Sequence, residues 1–144
     1  SSDLGYLDTD YAAKGRAAIE ELGTADLVCV HVEAPDEASH QGDVGEKVLA
    51  IERIDALVVA PILSCLERLP EWRLLVCPDH PTFLSTKTHS RGSVPYVMAG
   101  TGIGASGATY GEAAAAAAVA RDAAARIEPG WTLMGRFLDA GRSA

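Results

Sequence analysis

The chain reads as an α/β domain. Short valine-rich runs alternate with segments whose apolar residues recur at steps of three and four, the signature of strands and helices layered on one another. Two of the runs pass straight into polar loops rich in Asp and His. With 144 residues and 48% hydrophobic side chains, the chain has the length and apolar content for one domain, residues 1–144, with a sizeable core.

Residues 11–22, "YAAKGRAAIEEL", set Tyr11, Ala18, Ile19 and Leu22 at helical spacing, with Thr9 or Asp10 as the N-cap and Gly23 as the stop. "DLVCVHV", 26–32, is a nearly continuous apolar run and predicts a strand buried on both faces of a parallel sheet. The polar stretch "PDEASHQGD" follows it. Asp43 with Glu46 three residues on resembles a capping box, and Val48, Ile51, Ile54, Val58, Ile62 and Leu66 predict a long helix bent at Pro61. "WRLLVC", 72–77, predicts a second strand, which runs into "PDHPTFLSTKTHSRGS" and then a third, "VPYVMAG". A glycine-rich loop at 100–107 leads to an alanine-rich helix at 112–126 and a terminal helix around 131–139. Right-handed crossover through the long helix makes the strands at 27–32 and 72–77 neighbours, with the loops at 33–42 and 78–92 on one sheet edge. Ligands of such sheets bind beyond the carboxyl ends of the strands.

Charge and cysteines narrow the chemistry. Twelve basic against 20 acidic residues give a net charge of −8 with no Lys/Arg cluster, so a grip on a nucleic-acid backbone has little support and a small-molecule or protein partner is expected. No apolar run approaches the roughly 20 residues that span a bilayer, and "SSDLGYLDTD" has no signal core. These features read as cytoplasmic. Cys29, Cys65 and Cys77 lie in apolar segments without C-x-x-C spacing, as small buried hydrophobes would. The chain opens on Ser-Ser rather than Met, which leads us to expect a segment upstream.

Three of the four histidines fall in the two polar loops. Asp36 and His40 are four apart, so one helical turn would put carboxylate and imidazole on the same face. Alone, that spacing fits equally an acid at a helix N-terminus beside a surface histidine. Asp79 and His80 stand between Pro78 and Pro81, which restrict the backbone, and His89 follows. Oxygen and nitrogen ligands without thiolate suit Mn²⁺, Zn²⁺, Co²⁺ or Mg²⁺. His31 is either an outer partner of such a ligand or a satisfied, partly buried histidine, and Glu33 and Glu37 are either outer partners or solvated acids.

The segments "GYLDTDY", "VHVEAPDEASHQGD", "KVLAIERID", "VCPDHPTFLSTKTHSRGSVPYVM" and "GWTLMGRFL" resemble the C-terminal part of the archaeal-type cofactor-independent phosphoglycerate mutases, of the alkaline phosphatase superfamily. The resemblance runs from about Gly5 to Leu138. It implies a three-layer α/β sandwich of alkaline-phosphatase type, incomplete because its N-terminal part is absent. It implies two divalent metal ions, one held by Asp36, His40 and His89, the other held in part by Asp79 and His80. The remaining ligands and the nucleophilic serine are expected upstream, since none of Ser39, Ser64, Ser85, Ser90, Ser93 and Ser106 stands in the family's nucleophile position. Lys87 and Arg91, beside His89, are candidate phosphate contacts.

The implied activity is interconversion of 3-phosphoglycerate and 2-phosphoglycerate through a phosphoserine, in glycolysis and gluconeogenesis, with no organic cofactor and the chain inactive alone. A related phosphatase or phosphotransferase would use the same ligands. A non-catalytic metal-binding or assembly module, pairing with a separate chain that carries the nucleophile, is the reading from a different class. Phosphoglycerate and the upstream segment are the expected partners, and self-association into a homo-oligomer stays open.

Overall fold

The computed structural model describes residues 7–141. The fold divides into two compact units: one holds the chain up to Arg68 together with Pro81–Arg91, the other Leu69–His80 and the chain from Gly92.

In the first unit, helix α1 (Tyr11–Glu21) begins where the Asp10 carboxylate accepts the amide of Ala13 at 2.8 Å. Helix α2 (Ala34–Gln41) is the stretch "APDEASHQ". Pro35 suits its first turn because a proline there lacks only an N–H with no intrahelical partner, and Gly42, at φ 77°, closes it in the left-handed conformation. Ala34, Ala38 and Ser39 form its buried face.

Helix α3 (Val44–Ile54) starts at Asp43, whose carboxylate accepts the amide of Glu46 at 3.0 Å. It runs through a π-helical turn, Asp55–Val59, into helix α4 (Ala60–Leu66). Pro61 explains the π turn. Having no N–H, it cannot bond the carbonyl of Leu57, and the register widens so that the amide of Ala60 reaches Asp55. Helix α1 passes close to that carbonyl at Gly15, where an added Cβ would stand 2.5 Å from the Leu57 oxygen. The expected apolar stripe is realised in its second half, where Val58, Ile62 and Leu66 are buried, but Val48 and Ile51 remain 50% and 51% exposed.

Two strand expectations are corrected. Residues 26–32 form no ladder with any described residue, Leu27 is 51% exposed, and the strands β1 (Arg73–Val76) and β4 (Val97–Gly100) pair with each other instead. A valine-rich run supplies strand propensity, but a strand forms only against a hydrogen-bonding neighbour. The loop regions therefore do not share the edge of one parallel sheet. Residues 78–92 contain a hairpin, strands β2 (Thr82–Phe83) and β3 (Thr88–His89), and β2 packs on α2 inside the first unit. Cys29 and Cys77 are exposed rather than buried, since each lies in or beside a run that packs less than its composition predicts.

In the second unit, β1 and β4 are antiparallel, with Arg73 opposite Gly100 and Val76 opposite Val97. The guanidinium of Arg73 donates to the carbonyls of Leu138, at 3.0 Å, and Ala140, tying down helix α6 (Leu133–Asp139), whose Phe137 is buried. Helix α5 (Glu112–Arg121) stops before the alanines do. Asp122 turns extended and accepts the amide of Ala124 at 2.9 Å, a local bond that competes with helix continuation.

Candidate metal centre

Helix α2 and the β2–β3 hairpin bring Asp36, His40 and His89 together. Asp36 and His40 lie one turn apart on the face of α2 opposite Ala38, as their spacing predicts, and His40 Nε2 stands 3.2 Å from Asp36 Oδ2. His89, on β3, places its Nε2 3.4 Å from Asp36 Oδ1. The two imidazole rings are tilted 52° to one another with centroids 4.9 Å apart, so both address one carboxylate.

The orientation of His40 is set from the hairpin. Its Nδ1 is 2.9 Å from the carbonyl of Lys87, which can only accept, so Nδ1 carries the proton and a neutral ring presents the lone pair of Nε2. That lone pair faces a carboxylate oxygen, another acceptor. Two acceptors at 3.2 Å require a positive centre between them, either a proton on the ring or a metal ion. A Zn²⁺-sized ion bound about 2.0–2.2 Å from an imidazole nitrogen and a carboxylate oxygen holds them roughly 3–3.5 Å apart. Taken pair by pair, 3.2 Å from His40 to Oδ2 and 3.4 Å from His89 to Oδ1, the observed spacings fit that requirement.

Lys87 delivers its carbonyl because it adopts φ 54° at the end of the hairpin turn, where its amide donates to Phe83 at 2.8 Å. The carboxylate itself is held by Thr82, whose hydroxyl donates to Oδ1 at 2.5 Å, and the carbonyl of Thr82 accepts from Lys47 Nζ at 3.1 Å. Burial alone would raise the Asp36 carboxyl, but the Thr82 and His89 hydrogen bonds and the electrostatic attraction of the His40 and His89 imidazoles outweigh it and hold the group below the usual carboxylate range. An acid kept ionised beside imidazole nitrogens is the donor set a divalent cation requires.

Asp79 and His80 belong to the second unit, where they pair: the His80 amide donates to Asp79 Oδ1 at 2.9 Å, and His80 Nε2 is 3.3 Å from Oδ2. Lys87 and Arg91 are exposed. Ser39 is fully buried and donates to the carbonyl of Pro35 at 2.7 Å, a bond internal to the helix. His31 and Glu33 meet each other at 3.2 Å. Thr82, Lys47 and the Lys87 carbonyl went unread in the sequence. The β-prone pairs Thr82–Phe83 and Thr88–His89, separated by "LSTK", were the signal for the hairpin that brings them in.

A carboxylate flanked by imidazoles on a helix–hairpin frame is a donor set of the kind that can hold a divalent cation. The Metalloenzyme superfamily matches residues 2–129, and the chain belongs to that superfamily. The fold is thus alkaline-phosphatase-like, in partial form. The 2,3-bisphosphoglycerate-independent phosphoglycerate mutase of Methanothrix thermoacetophila is 54% identical over 100 residues, 69% of this chain and 26% of that protein. A probable enzyme of the same name from Geobacter sulfurreducens is 44% identical over 137 residues, 94% of this chain and 33% of that protein. Among solved structures, the PH0037 protein from Pyrococcus horikoshii superposes with a TM-score of 0.69 at 30% identity, covering 76% of this chain and 33% of the other. The chain spans between a quarter and a third of the length of these relatives. No helix among the described residues is long and apolar enough to cross a membrane.

Proposed function

We propose that this chain is the C-terminal metal-binding part of a cytoplasmic, cofactor-independent phosphoglycerate mutase, residues 1–144 contributing to one catalytic domain whose nucleophile lies in the rest of the protein. The supporting observation is the Asp36 carboxylate met by His40 at 3.2 Å and by His89 at 3.4 Å, in a superfamily member whose curated relatives carry that name. Asp36, His40 and His89 hold one divalent ion; Asp79 and His80 contribute to a second. Bound Mn²⁺, Zn²⁺, Co²⁺ or Mg²⁺ would supply the charge that lowers the pKa of a serine hydroxyl and neutralises phosphate oxygens.

The residues of this chain position and balance charge. Asp36 stays ionised, His40 is locked in the tautomer that offers Nε2, and the exposed cations Lys87 and Arg91 flank His89 where a phosphate would enter. The positive charge gathered there offsets the net −8 of the chain toward an anionic substrate. Transfer to a serine and back needs a covalent acceptor, because the glycerate must turn while the phosphoryl group waits on the protein.

The test supplies 3-phosphoglycerate and Mn²⁺ to the chain alone and to the full-length protein, and follows 2-phosphoglycerate through coupled enolase. Turnover by the full-length protein and none by the chain is the expected result. Release of inorganic phosphate without 2-phosphoglycerate by the full-length protein would make it a phosphatase, and robust mutase turnover by the chain alone would place a nucleophile within it.

A further inference from the structure

We infer that Thr82 is a positioning residue for the metal centre, its hydroxyl fixing the rotation of the Asp36 carboxylate so that its oxygens meet His40 and His89. The inference rests on the metal-site reading given above and names the group that makes this site selective in geometry. A carboxylate only accepts, so the Thr82 hydroxyl donates to Oδ1, and at 2.5 Å this is the shortest contact the carboxylate makes. Thr82 is 8% exposed, so little water competes for that bond.

The backbone builds the arrangement. Thr82 pairs across the hairpin with His89, and β2 lies against α2, so one strand pair brings a ligand and its partner's clamp to the same carboxylate. Two further bonds hold the clamp in place: Lys47 Nζ donates to the Thr82 carbonyl at 3.1 Å, and the amide of Ser90 donates to Pro81 at 2.8 Å. With Oδ1 anchored by Thr82, the second oxygen faces His40 at 3.2 Å without rotating away into solvent. Outer hydrogen bonds of this kind change metal affinity by about 10–100-fold when removed.

The test is calorimetric titration of the metal-free 144-residue chain with Mn²⁺, together with the visible spectrum of its Co²⁺ form. Thr82→Val is expected to weaken Mn²⁺ binding about tenfold or more and to alter the Co²⁺ bands, whereas Thr82→Ser, which restores the hydroxyl, is expected to bind within about twofold of wild type. Circular dichroism of the metal-free variants checks that the fold is kept; if Thr82→Val does not fold, Thr82→Ala carries the same expectation. Wild-type affinity in the hydroxyl-less variants overturns the inference, as does equal loss in Thr82→Ser, which would trace the effect to bulk. Absence of Mn²⁺ uptake by the wild-type chain would instead overturn the metal-site reading itself.

Discussion

At the scale of residues, the candidate donors that come together were legible and the groups that support them were not. D-x-x-x-H at 36 and 40 fixes its own geometry once the segment is helical, because four residues make about one turn. The Lys87 carbonyl on His40 and the Thr82 hydroxyl on Asp36 join residues 47 and 46 positions apart, and no local pattern encodes a bond at that separation. The same bonds set a pH dependence. The Asp36 carboxyl is lowered in the folded chain, so its contribution to stability is present above the unfolded value, about 3.9, and is lost as pH falls through the lower folded value. Urea unfolding of the metal-free chain and its Asp36→Asn variant should therefore show a stability gap that is full near pH 5 and shrinks below about pH 4. A gap at pH 2 as large as that at pH 5 would mean that the carboxylate gains nothing from its neighbours.

At the scale of elements, caps and periodicity placed the helices well, while strands depended on partners that periodicity does not name. Asp10 and Asp43 cap where predicted. Residues 26–32 have a strand's composition and no ladder among the described residues, whereas the short hairpin at 82–89 forms inside what reads as a polar loop. Pro61 was visible as a disturbance of the long helix; its form, a π turn with Gly15 of α1 lying close to the Leu57 carbonyl, required the neighbouring helix. Gly15→Ala tests that packing. With its Cβ 2.5 Å from a backbone oxygen, the variant must push α1 away from the π turn, and overpacking of this kind costs about 1–3 kcal/mol. Thermal unfolding should show a clear fall in Tm. An unchanged or raised Tm, as a gain in helix propensity alone would give, would show that the helices separate freely.

At the scale of the whole molecule, the family signature was carried by short motifs spread along most of the chain, which is why the superfamily match covers residues 2–129 although the predicted pairing of the strands at 27–32 and 72–77 was wrong. What the motifs could not specify was how few of the apolar residues would be covered: Leu27, Val48 and Ile51 stay half exposed in a chain matching about a third of a relative's length. The candidate metal centre is independent of that, since Asp36, His40 and His89 all lie within the first unit. Its existence is the central claim. The most direct measurement is an anomalous difference map from Mn²⁺-soaked crystals of the chain, collected on both sides of the manganese edge. The account predicts a peak between the Asp36 carboxylate and the Nε2 atoms of His40 and His89, lost in His89→Ala crystals. A map with no peak there, or with manganese bound only elsewhere on the chain, would contradict it.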